Sequence, residues 1–103
     1  AILRGGAGTT AGSYGNTALQ IVNSLRATRG PAALASIDLN GLLDERGREM
    51  YWECWRRQDL IRFGKFLDAW QEKAADNGTT NLLFPIPSNQ LAVNPNLTQN
   101  PGY

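Results

Sequence analysis

Apolar residues recur at helical spacing in the first half of this chain and lose that spacing in its last quarter. Ala18, Ile21, Val22 and Leu25 fall at the i, i+3, i+4, i+7 positions of one buried stripe, which predicts a helix after residue 16. Asn16 is placed to cap it, Gly30-Pro31 stops it, and Arg26 and Arg29 lie near the end where the macrodipole favours positive charge. A second helix is predicted over 39–55. Asp38 is its N-cap, and Ile37 and Leu42 stand at the N′ and N4 positions of a hydrophobic staple.

At 100° per residue, Leu39, Leu42, Leu43, Met50 and Cys54 share one face of that helix, and Arg46, Glu53 and Arg57 fall on the same side. Tyr51, Trp52 and Trp55 point elsewhere, so the helix is apolar nearly all round at its C-terminal end, the pattern of a segment buried on several sides. Leu60, Phe63, Leu67 and Trp70 keep helical spacing across Gly64, predicting a short helix, a bend and a further segment that ends at Asn77-Gly78. From Leu82 to Pro87 the prolines remove backbone donors and push their predecessors towards extended geometry. Ser88 can cap one turn through Leu91, and the residues from Asn94 to Tyr103 are turn chemistry, able to hold a shape only by packing on something.

The expected organisation is a single segment over 1–103, with a loop over 1–15, helices over 16–78 and an irregular Pro/Asn-rich tail over 79–103. The chain opens on Ala1-Ile2-Leu3-Arg4-Gly5-Gly6, which reads as the last turn of a helix closed by glycine and places the natural start upstream. At 103 residues there is room for one modest core. Ten basic and nine acidic side chains leave a net charge of +1, with no global field to draw nucleic acid or anionic lipid. There is no histidine and one cysteine, which removes imidazole bases, His-based metal sites and an internal disulfide; nothing asks for a cofactor. The longest uncharged stretch, Gly5 to Gln20, is too rich in Gly, Thr and Ser to span a bilayer.

Two stretches resemble the SusD/RagB family. Leu42-Leu43-Asp44-Glu45-Arg46-Gly47-Arg48-Glu49-Met50, continuing through Glu53, Arg56, Asp59-Leu60, Arg62 and Gly64, is similar to the family's C-terminal signature. Leu83-Phe84-Pro85-Ile86-Pro87 followed by Asn94 to Tyr103 looks like the way these proteins end, and the helix from Leu19 to Gly30 resembles the one that precedes both. Gly47, Cys54-Trp55 and Gln58 depart from the usual residues. The resemblance implies an all-α, tetratricopeptide-like fold of several hundred residues, of which this chain is the last fifth or so. It further implies a lipid-anchored outer-membrane surface protein, not an enzyme. Such a protein binds oligosaccharides and passes them to a SusC-like TonB-dependent transporter. The partners expected are therefore oligosaccharides, that transporter and the remainder of the parent chain. A helical scaffold for protein–protein contact is the alternative, since paired helices with apolar faces serve that role too.

Glu45, Arg46, Arg48, Glu49, Glu53, Arg56 and Asp59 crowd carboxylates and guanidiniums together. Glycoside hydrolysis needs two carboxyls facing each other across a sugar, whereas here Glu45–Arg48, Glu53–Arg56 and Glu53–Arg57 stand at i+3 or i+4, so a structural ion-pair network is expected, with Arg46 and Glu53 meeting on the buried face. Arginine-paired carboxylates are poor general acids. Cys54 has no base to activate it and reads as a small hydrophobe. Trp52 falls where the family places a core aromatic. Trp55 and Trp70 are the weak glycan-binding candidates, because sugars stack their C–H faces on exposed rings, although packing is the commoner use of such rings.

Overall fold

The computed structural model describes Thr10 and residues 15–103, so the predicted helix end at 1–6 and most of the loop over 1–15 lie outside the described residues. Among the described residues there are four α-helices, α1 (Ala18–Arg29), α2 (Leu39–Glu49), α3 (Arg56–Arg62) and α4 (Ser88–Val93), with a 3₁₀ turn at Thr80–Leu82. Among the described residues β-structure is limited to two isolated bridges, Thr10 with Thr17 and Trp70 with Lys73, so the chain is all-α. It divides into two compact units, Ala1–Asp59 and Leu60–Tyr103, and the boundary falls inside α3.

In the first unit α1 starts one residue later than expected. Thr17, not Asn16, is the cap: its hydroxyl accepts from the Gln20 N–H at 3.2 Å while the Gln20 side chain accepts from the Thr17 N–H at 2.8 Å. This reciprocal pair is a capping box, which satisfies two donors that a helix start leaves open. Gly30 closes α1 at φ 97°, its N–H bonded to the Arg26 carbonyl. Ala18 and Val22 bury against Ile37, and Leu19, Leu34 and Leu42 flank them, so the expected staple residues join the core; Ile21 and Leu25, the rest of the predicted stripe, remain exposed.

The return loop is pinned by Asn23, whose amide donates to the Leu34 carbonyl at 2.9 Å and accepts its N–H at 2.8 Å. Ile37, just before α2, meets the start of α1, while Arg26 and Arg29 near its end reach Glu45 and Glu49 near the end of α2. The two helices therefore run in the same sense, unlike the antiparallel pair of a helical hairpin.

The predicted helix over 39–55 stops at Glu49. Residues 50–54 form a turn in which Trp52 (φ 68°) and Cys54 (φ 61°) are left-handed, and α3 begins at Arg56. A continuous helix would hold Arg46 and Asp59, thirteen positions apart, about 20 Å from each other. The turn brings them to 2.8 Å. Cys54 is consequently exposed within the turn, not on an apolar helix face, and Trp52, expected to pack, is 86% exposed.

In the second unit the helical spacing across Gly64 does not continue as a helix. The Gly64 N–H bonds to the Ile61 carbonyl and the Lys65 N–H to the Leu60 carbonyl, the two reversed bonds of a Schellman end, which require a left-handed residue that Gly64 supplies at φ 68°. Trp70 and Lys73 then exchange N–H bonds across a tight turn, at 3.0 and 2.6 Å, and the Asp76 N–H returns to the Leu67 carbonyl. Leu83 to Pro87 is non-helical, as the prolines dictate, and α4 takes Pro87 as its cap residue, with Ser88 inside the helix.

The tail is tied to this proline segment by side chains. Gln99 accepts the Ile86 N–H at 2.8 Å and donates to the Ile86 carbonyl at 2.9 Å; Asn100 donates to the Phe84 carbonyl at 2.7 Å. The Tyr103 hydroxyl lies 2.9 and 3.0 Å from the carbonyls of Thr80 and Leu83. Gly102 fits against Thr80, where a Cβ would stand 2.7 Å from the Thr80 hydroxyl oxygen. None of the described helices is long and apolar enough to cross a membrane.

Candidate functional site

The crowded charges predicted from sequence converge on α2, with two differences in partnership. Glu45 is shared: Arg48 donates to it from one turn along at 2.6 Å, and Arg26 of α1 at 2.9 Å. Glu49 takes a two-pronged bond from Arg29 of α1, at 2.6 and 3.3 Å. The local pattern does not give these two cross-helix pairs, because the macrodipole alone accounts for Arg26 and Arg29 at the end of α1. Their signal was the matched spacing, since Arg26 and Arg29 stand one turn apart, as Glu45 and Glu49 do.

The second difference concerns Arg46. Its partner is Asp59 in the first turn of α3, at 2.8 Å, and not Glu53, which sits exposed in the turn with its own N–H bonded to the Met50 carbonyl. Asp59 is 2% exposed and Arg46 34%. Arg56 donates to the Leu43 carbonyl at 2.8 Å and stands 3.9 Å from Asp44. Its guanidinium fills the space over Gly47, where a Cβ would lie 2.8 Å from Arg56 Nη1, so Gly47 costs some helical propensity and makes room for this contact.

The charges act on one another as a clamp. The hydrogen bond from Arg48, with Arg26 adding to it, holds the Glu45 carboxyl below its ordinary value; Arg29 does the same for Glu49, which in turn holds Arg29 in its charged form. Carboxylates held ionised by guanidiniums have no proton to give a leaving group at neutral pH.

Beside this clamp, the turn after α2 forms one wall of a concavity of ≈ 880 Å³ lined by Arg46, Arg48, Arg56, Tyr51 and Trp52 among others. Tyr51 (74% exposed) and Trp52 meet edge to face, with ring centroids 5.9 Å apart and planes at 83°. Trp55, one of the two sugar-stacking candidates, is exposed and its carbonyl accepts the Asp59 N–H at the start of α3; Trp70, the other, is exposed in the turn of the second unit. Among the described residues no three His, Cys, Asp or Glu side chains stand together as a metal site.

Comparison with known proteins gives the lineage. A sequence model of the SusD family matches residues 65–103, which hold the turn at Trp70, the proline segment and the tail that folds back on it. The starch-binding protein SusD of Bacteroides thetaiotaomicron is 43% identical over 70 residues, covering 60% of this chain and 13% of that protein. The SusD-like protein P25 of Formosa agariphila is 36% identical over 105 aligned positions, covering 84% of this chain and 20% of its own length. The chain belongs to the SusD family. It spans about an eighth and a fifth of these two SusD-family relatives, respectively. No solved structure gives a significant match.

Proposed function

We propose that this SusD-family chain is part of a protein that binds oligosaccharide or polysaccharide nutrients at the surface of the bacterial outer membrane. That protein is a lipid-anchored, tetratricopeptide-like helical binding module, and it delivers its glycan to a SusC-like TonB-dependent transporter. The observation that carries the reading is the 43% identity to a starch-binding protein over 60% of the chain. The described residues add a chemical argument in the same direction. Glu45, Glu49 and Asp59 are all engaged by arginine, so these carboxylates hold helices together and do not form a proton-donating pair astride a glycosidic bond.

Within this chain Trp55 and Trp70 remain the residues proposed to touch sugar, as open aromatic faces without the several convergent polar groups that a pocket needs. The sugar site of the whole protein is accordingly expected outside this chain. Calorimetry of the full-length protein against a glycan panel that includes starch oligosaccharides, with a reducing-end assay alongside, tests the proposal. Binding without release of reducing ends is the expected result, and the 103-residue chain alone should show weak binding or none. Hydrolysis by the purified full-length protein overturns the binding reading, and tight binding by the short chain, lost in Trp70→Ala, moves the site into it.

A further inference from the structure

The turn over 50–54 presents two of the most exposed large side chains in the first unit, Tyr51 and Trp52, and holds two of its residues, Trp52 and Cys54, at positive φ. Neither Trp52 nor Cys54 is a residue type that favours a left-handed φ. One N–H bond inside the turn is evident, from Glu53 to the Met50 carbonyl. Strained backbone of this kind persists where surrounding structure holds it in place, and here the aromatic side of the turn faces an open groove.

The groove also has a charge preference. Arg46, Arg48 and Arg56 line it together with Asp44 and Asp59, three cations to two carboxylates. Arg48 and Arg56 are exposed at its rim. A complementary surface is therefore apolar at its centre and carries at least one carboxylate at its edge.

We infer that this arginine-rimmed aromatic turn is an internal seat for polypeptide from elsewhere in the full-length protein, apolar where it meets Tyr51 and Trp52 and acidic where it meets Arg48 and Arg56. This rests on the reading of the chain as part of a larger SusD-family protein, whose relatives are five to eight times longer than the stretch they share with it. A second copy of the chain is the competing occupant. The seat differs from a sugar platform in being closed in the native full-length protein.

Cys54 lies in the turn and reports the seat directly. In the native full-length protein, thiol labelling at Cys54, read peptide by peptide by mass spectrometry, should run at least about a hundredfold slower than in denaturant. Trp52→Ala should raise the native rate about tenfold or more, while Trp52→Phe keeps most of the protection. Should Trp52→Ala fail to fold, Arg48→Glu serves instead, since reversing a rim charge against an acidic partner should raise labelling several-fold. Labelling of the native protein within about threefold of the denatured rate overturns the inference. Protection that disappears on dilution also overturns it, by assigning the turn to a second copy. Glycan calorimetry on the same sample reads the binding proposal independently: protection without glycan binding sinks that proposal and leaves the seat standing.

Discussion

The two units of this chain are fastened by different chemistry. In the first, helices supply the frame, and most ties between them are ion pairs, Arg26 to Glu45, Arg29 to Glu49 and Arg46 to Asp59, with Arg56 on the Leu43 carbonyl beside them. In the second, ties run from side chain to backbone: Gln99 to Ile86, Asn100 to Phe84 and Tyr103 to Thr80 and Leu83. A helix satisfies its own backbone, which leaves charged side chains available to join it to its neighbours. A segment broken by Pro85 and Pro87 cannot do this, so its carbonyls and N–H groups need partners brought from elsewhere, and an amide side chain that both donates and accepts is the suitable residue. Unit one should thus respond to charge and pH, and unit two to the loss of single amides.

The largest expected effect is in the first unit. Arg46→Ala should cost about 3 kcal/mol, near the lower end for breaking a buried pair because Arg46 is itself a third open to water, whereas Asp59 loses a charge partner while buried. Asp59→Ala should cost less, since Arg46 can turn to solvent. Thermal melts of both variants decide it; losses under about 1 kcal/mol for both would reduce the pair to an ordinary surface contact. Next comes Gln99→Ala, which opens both Ile86 groups and should cost about 2 kcal/mol. Amide exchange at Ile86 should quicken while exchange in α1 and α2 stays unchanged, and coupled changes in both units would erase the distinction drawn here.

The smallest effect is the acid response. Glu45 and Glu49 have folded values below their ordinary 4.5, so the stability they contribute is full above that value and is lost as the pH falls through the lowered values. Melting temperature should therefore drop on acidification below about pH 4.5, and less steeply in an Arg29→Ala, Arg48→Ala double variant. An unchanged slope in that variant would assign the acid response to other carboxylates.

What could be read from sequence was whatever a few adjacent residues decide. Gly30 as a stop, Asp38 as a cap, the Ile37 and Leu42 staple and the prolines after Leu83 all act within one turn of chain, and each stands as expected. The start of α1 shifted by a single residue because Thr17 finds Gln20 three positions on. The misses belong to choices made at longer range. The turn at 50–54 breaks a helical pattern so that Arg46 can reach Asp59, and Trp52 and Cys54 carry no turn signal of their own. Helical arithmetic pairs Glu53 with Arg46, and the turn cancels it. Residues 65–77 kept helical spacing, yet Gly64 ends the helix with two reversed hydrogen bonds and the periodicity goes unused.

Gln99 occupies Ile86 as a neighbouring strand would, taking its N–H and its carbonyl together, while Asn100 takes the Phe84 carbonyl two residues back along the same side. Extended apolar segments with open edges recruit other chains by strand addition, and Leu83-Phe84-Pro85-Ile86-Pro87 has the composition to invite it. With Pro85 and Pro87 offering no donor and the tail amides filling the Phe84 and Ile86 side, an incoming strand finds that edge already taken. The last residues of the chain thus act as a built-in guard against edge-to-edge aggregation.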